Sequence, residues 1–120
     1  MAEHEYDLEE RTFSFAKDVR VFIKTLPVTM GNKEDAKQLI RCSASIGANY
    51  IEANEALSKK DFPYRVKIAR KEAKESTFFL RLLDLESKPE LESTRETLRD
   101  ESTQLMKILG AIVTKSSGSL

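Results

Sequence analysis

Four successive stretches of the chain repeat an apolar or small side chain every three or four residues, and little interrupts them except prolines and short polar breaks. That spacing lays the side chains along one stripe of an α-helix, and no alternation of period two competes with it. The first stripe is Leu8, Thr12, Phe15, Val19, Phe22, Leu26. Asp7 and Glu10 have capping-box spacing at its start, and Pro27 drives the residue before it out of helical geometry. The second is Ala36, Leu39, Ser43, Ile46, Tyr50, Ala53, Leu57, with Asn32 placed to cap it. Ser43, Gly47, Ala48 and Ala53 are small, so a neighbouring helix can approach closely there. The third is Phe62, Val66, Ala69, Ala73, Ser76, Leu80, Leu83, opened by Asp61 with Pro63 in the first turn. The fourth is thinner: Leu91, Leu98, Leu105, Ile108, Ile112.

These stripes predict helices over about 8–25, 33–57, 62–86 and 90–114, with a frayed tail at 116–120. Helices of that length joined by short loops are expected to form an all-α, antiparallel up-down-up-down four-helix bundle. The expected core includes Phe15, Val19, Phe22, Leu39, Ile46, Tyr50, Ala69, Leu80 and Leu105. With 120 residues the chain is long enough for one domain and no more. No apolar run approaches the ~20 residues that span a bilayer. The acidic start lacks the apolar stretch of a signal peptide, and the lone Cys42 excludes an internal disulfide. The expected location is the cytoplasm.

Charge is balanced overall, with 20 basic and 20 acidic residues, which is not the footprint of a strongly basic nucleic-acid binder. It is unevenly distributed, however. Residues 58–88 hold nine basic and five acidic side chains, a net of +4, while the other three segments are each slightly acidic. Lys60, Lys67, Lys74 and Arg81 recur at intervals of seven and share one helical face, flanked by Arg70 and Lys71. Such a run is most simply a solvated face; the sharper reading is a track for phosphates.

Catalytic and metal chemistry find little support. A di-iron bundle needs Glu-x-x-His pairs from two helices, and the single histidine, His4, precedes the first stripe. Glu52 with Glu55 and Glu72 with Glu75 therefore read as structural carboxylates. Cys42 has no helical histidine to activate it and reads as a small core residue. Gly31 and Gly47 are isolated, so no phosphate-binding loop occurs. No cofactor and no enzymatic activity are expected.

Two groups of residues fall outside this pattern. Arg41, Ser45, Asn49 and Glu52 follow one another at i+4, i+4 and i+3, making a polar seam beside the apolar stripe. Glu72 and Glu75 on the third helix could face it as buried ion-pair partners; a binding site is the alternative. Phe13 and Val21 on the first helix, and Phe78, Leu82 and Leu85 on the third, point away from their stripes, while Ile68 and Phe79 flank the seam. These seven are candidates for an oligomer interface, since large exposed apolar patches usually mark association.

The run Ser45-Ile46-Gly47-Ala48-Asn49-Tyr50-Ile51-Glu52-Ala53, followed by Lys71-Glu72-Ala73-Lys74-Glu75-Ser76, is demanded by neither heptads nor caps. With Arg11-Thr12-Phe13-Ser14-Phe15-Ala16, Leu26-Pro27, Gln38-Leu39-Ile40-Arg41 and Lys60-Asp61-Phe62, it resembles the four-helix-bundle family encoded by intervening sequences in bacterial 23S ribosomal RNA genes. The resemblance covers most of the chain. It implies a ring-like homopentamer without established enzymatic activity. It also implies kinship with the accessory variability determinant of diversity-generating retroelements, a basic pentameric barrel that associates with a reverse transcriptase and with nucleic acid. This chain departs from that relative in its zero net charge. Two functions follow as expectations. One is a homo-oligomer contacting RNA or DNA, or a nucleic-acid-processing protein, through Lys60, Lys67, Arg70, Lys71, Lys74 and Arg81. The other is a protein–protein assembly scaffold without nucleic-acid contact.

Overall fold

The computed structural model describes residues 2–118, and side chains over 8–116. Among the described residues the chain is all-α, with four helices and no strand: α1 (Ala2–Ile23), α2 (Met30–Asn54), α3 (Asp61–Leu82) and α4 (Pro89–Gly118). Each helix packs against the next in sequence, and α4 returns to α1, so the four surround one core in a body of 48 × 24 × 20 Å. The α2–α3 and α3–α4 seams are closely packed, whereas α1 rests more loosely on α4.

All nine residues expected inside are buried. On α4 the sequence pattern is corrected. Leu109 and Val113 form the inner line with Leu98, Ser102 and Leu105, and Ile108 and Ile112 lie half-buried at its flanks. The core hydroxyls of Thr12, Ser43, Ser76 and Ser102 each donate to a carbonyl of their own helix, and Ser102, bonded to the Arg99 carbonyl, also meets the Thr77 hydroxyl of α3. Gly47 lets α1 and α2 approach. A Cβ there would stand 2.7 Å from Thr12 Oγ1, so the close contact inferred from small residues falls on α1.

Helix ends depart from the expected positions for identifiable reasons. α1 is helical from Ala2, which places Asp7 inside it and not at a cap; the Asp7 side chain itself lies outside the described residues. α2 begins earlier than expected because Thr29 is the N-cap, accepting from the Asn32 amide at 3.0 Å. It stops at Asn54, which leaves Leu57 99% exposed and not on the core stripe. α3 stops at Leu82, and Leu83 turns extended at φ −58°, ψ 136°. Extended backbone puts residues two apart on one side, so Leu83 and Leu85 both reach the core. Leu85 is therefore a core residue and not part of an oligomer surface. α4 extends to Gly118, so 116–118 are helical; 119–120 lie outside the described residues.

Two side chains knit the loop end of the bundle. Asn32, in the first turn of α2, donates through Nδ2 to the carbonyls of Pro27 and Asp84, each at 2.9 Å, and accepts from the Asp84 amide at 2.9 Å. It thereby binds the α1–α2 loop to the α3–α4 loop, where Glu86 and Ser87 adopt left-handed φ of 54° and 58°. From α4, Arg95 donates to the carbonyls of Leu83 at 2.7 Å, Leu80 at 3.3 Å and Arg81 at 3.4 Å, capping the otherwise orphaned end of α3. Across the looser α1–α4 seam, Arg11 grips Glu101 with two hydrogen bonds of 2.7 and 3.0 Å.

Candidate nucleic-acid interface

The outward face of α3 follows from its inward one. Val66, Ala69, Ala73, Ser76 and Leu80 are buried, which turns Lys60, Lys67, Arg70, Lys71, Lys74 and Arg81 to the surface, where all six are exposed. Among the described residues none of the six lies within ion-pair distance of a carboxylate. Arg11, Arg41, Arg95 and Arg99, by contrast, each have a carboxylate partner.

Helical phase places three apolar side chains on this same face. Tyr64 lies four residues after Lys60, Phe78 four after Lys74, and Leu82 four after Phe78. Tyr64 and Phe78 are 59% and 52% exposed. The Arg65 guanidinium lies 5.9 Å from the Tyr64 ring centre, and Phe78 is braced edge-on by Phe79 at 5.3 Å. Aromatic rings standing between lysines can stack on bases while the lysines neutralise phosphates, a combination suited to single strands. The cations alone suggest only a phosphate track; Tyr64 adds the stacking platform, and its spacing from Lys60 and Lys67 is the sequence signal for it.

The other interface candidates do not form one patch. Phe13 sits in a groove between α1 and α2, over Ala44, Gly47 and Ala48, with Lys17 stacked on its ring at 5.8 Å. Val21 edges a different groove, between α1 and α4. Ile68 and Phe79 are half-buried, and Phe79 packs against the core.

The polar seam is narrower than its spacing suggests. Arg41 reaches Glu72 at 3.8 Å and Glu75 at 3.7 Å, joining α2 to α3. Asn49 instead donates to the Ser45 carbonyl of its own helix at 2.9 Å, and Glu52 is exposed. Arg41 is itself more than half exposed, so a buried ion pair is the wrong description: a surface guanidinium leans over a buried carboxylate. Glu72 Oε1 is buried without a hydrogen-bond partner among the described residues. Burial pushes the Glu72 carboxyl above the ordinary range and Glu75 adds to this, while Arg41 and Lys71 oppose it.

A carboxyl whose folded value exceeds its unfolded one contributes stability that is complete below the unfolded value and lost as pH rises through the folded value. Glu72→Gln is therefore expected to match the wild type in acid and exceed it above that window. Urea titrations of both proteins over a pH series measure this, and curves that stay parallel throughout contradict it. Burial likewise raises the Cys42 thiol, whose Sγ lies 3.3 Å from the Ser76 hydroxyl. A buried thiol held neutral packs well and reacts poorly.

Among the described residues no group of three or more His, Cys, Asp or Glu side chains converges as a metal site, and no helix is long and apolar enough to cross a membrane. The His4 side chain lies outside the described residues.

Comparison with known proteins places this geometry in a family. A crystal structure of a protein of unknown function from the S23 ribosomal protein family of Bacteroides thetaiotaomicron superposes with a TM-score of 0.75 at 29% identity, covering 92% of this chain and 97% of that one. No curated protein matches the chain. The family described as 23S rRNA-intervening sequence protein matches residues 4–111, from the first turns of α1 into the last third of α4. The chain belongs to the 23S rRNA-intervening sequence protein family.

Proposed function

We propose that this protein is a non-enzymatic, cytoplasmic homo-oligomer of up-and-down four-helix subunits that binds nucleic acid through the outward face of α3. A ring of five copies is the assembly its resemblance suggests, as is the kinship with the accessory variability determinant. The observation that carries the reading is the row Lys60, Lys67, Arg70, Lys71 and Lys74, exposed and without an ion-pair partner among the described residues, with Tyr64 standing in it. Sequence-independent contact with a strand needs cations for the backbone and a ring for the bases, and this face supplies both. A neutral subunit is compatible with that role, because assembly multiplies one weak track into several and raises avidity by ~10²–10⁴ where one strand spans them.

Fluorescence titration against single- and double-stranded RNA and DNA at two salt concentrations tests the proposal. If about five phosphates are neutralised, single-strand affinity falls roughly a hundredfold over a fourfold rise in salt. Replacing Lys67, Lys71 and Lys74 together by Glu is expected to abolish binding. Tyr64→Ala is expected to weaken single-strand binding by about 1–3 kcal/mol and to leave duplex binding nearly unchanged. No binding at low salt, or binding indifferent to the lysine reversals, favours a protein-assembly scaffold instead.

A further inference from the structure

The C-terminal end of the α3 face and the groove between α1 and α4 are complementary in polarity and charge. Phe78 and Leu82 project from α3 at 52% and 49% exposure, and Arg81 stands beside them. Phe78 meets the half-buried Phe79 edge-on, with ring centres 5.3 Å apart. The groove is a cleft of about 440 Å³ with a floor of Phe22, Leu91 and Leu98, Val21 at its edge, and Asp18 and Glu90 at the rim. A second cleft of about 470 Å³ shares Asp18 and Leu98 with it and continues past Glu10 and Asp100. One surface offers apolar knobs beside a cation; the other offers an apolar floor rimmed by carboxylates.

The two surfaces also lie at the same height on the bundle. Arg95 of α4 donates to the carbonyls of Leu80, Arg81 and Leu83, so the last turn of α3 is level with the second turn of α4. Leu91 and Thr94, which line the groove, belong to that same part of α4. Copies standing side by side with parallel long axes therefore bring knobs and groove into register without sliding. The surfaces are different patches of one chain, so their contact is head-to-tail, the kind that closes into a ring when the repeated rotation divides a full turn without a rise along the axis, and otherwise runs on as an open filament. A face-to-face pairing of two α3 helices would instead oppose Lys67, Lys71, Lys74 and Arg81 to their own copies.

We propose that the α1–α4 groove of one copy receives Phe78 and Leu82 of the next, with Arg81 meeting Asp18 and Glu90. This rests on the homo-oligomeric part of the function proposed above and names its interface. It assigns Arg81 to assembly and leaves Lys60 to Lys74 with Tyr64 open to a strand.

The test is sedimentation of the full chain with two substitutions, one on each surface. Leu82→Glu and Val21→Glu are both at exposed positions, and circular dichroism checks that helical content is kept. Each variant alone is expected to sediment as a 13.7 kDa monomer. An equimolar mixture is expected to form a mixed dimer of about twice that mass, because one intact groove then meets one intact α3. A Val21→Glu protein that still assembles like the wild type overturns the groove assignment while leaving oligomerisation in place. Failure of the mixture to associate overturns the head-to-tail arrangement. A wild type that is monomeric at every concentration overturns both this interface and the oligomer. Loss of nucleic-acid binding in the Lys67, Lys71 and Lys74 reversals, with sedimentation unchanged, would separate the strand-binding face from the interface.

Discussion

Replacing Asn32 by Ala is expected to lower the unfolding free energy by roughly 2–4 kcal/mol, far more than a typical change in the first turn of a helix. The Asn32 amide serves three backbone groups at once, two carbonyls and one N–H, all at 2.9 Å and on two different loops. Truncation leaves each of them without its partner, and an unsatisfied buried group costs ~1–3 kcal/mol, less where water can enter. Asn32 is buried, while Asp84 is exposed, so the cost falls short of three full penalties. The loss also releases the segment holding Glu86 and Ser87 in left-handed backbone, which non-glycine residues adopt at a cost. Asn32→Asp should also destabilise, because a carboxylate would face the carbonyls of Pro27 and Asp84 where a donor is required. Urea denaturation measures both, with the exposed Gln38→Ala as a control expected within about 0.5 kcal/mol of the wild type. An Asn32→Ala protein as stable as that control would mean the two loops hold themselves.

Asn32 also shows where sequence reasoning stops. The stripe of α2 is legible because heptad spacing is a local property, and every position from Leu39 to Ala53 follows it. The partner of Asn32 lies 52 residues away, and no local pattern encodes that pairing. The same reason accounts for Leu85. Its spacing continues α3 outward, but the helix gives way at Leu83 to extended backbone, and the α3 carbonyls released there are taken up by Arg95 from α4. Helix interiors are set by neighbours three and four residues away; helix ends are set by loops and by side chains from other helices.

The α3 face was more legible than the seam beside it. Four-residue steps alone align Lys60 with Tyr64, and Lys74 with Phe78 and Leu82, so the mixture of cations and rings can be read from numbering. The proposed division of this face into a strand-binding end and an assembly end cannot be read that way. It rests on the α1–α4 groove, whose level depends on how α4 docks. For the seam, spacing brings Arg41 opposite Glu72 and Glu75 but says nothing of depth, and depth is what separates a buried pair from a surface arginine over a buried carboxylate.

The second large effect is expected at Gly47. Glycine inside a helix costs ~0.5–1 kcal/mol relative to alanine, so Gly47→Ala would stabilise α2 if helix propensity decided the outcome. The added Cβ, however, meets Thr12 Oγ1 at 2.7 Å and Thr12 Cβ at 3.2 Å. Thr12 cannot swing aside: it is buried, stiff at χ1, and its hydroxyl donates to the Glu9 carbonyl at 2.9 Å. α1 must therefore move, and overpacking of this kind costs ~1–3 kcal/mol, more than the propensity gain. Gly47→Ala should then be destabilised, Gly47→Leu more so, and the pair Gly47→Ala with Thr12→Ala should recover part of the loss. A double-mutant cycle on unfolding free energies measures that coupling, expected at about 0.5–3 kcal/mol for residues in contact. α1 also carries Asp18 and Val21, one side of the proposed groove, so the leucine variant should assemble less readily than the wild type even where its helices persist. A Gly47→Ala protein more stable than the wild type would show that α1 is free to shift, and that its seating on α2 does not fix the groove.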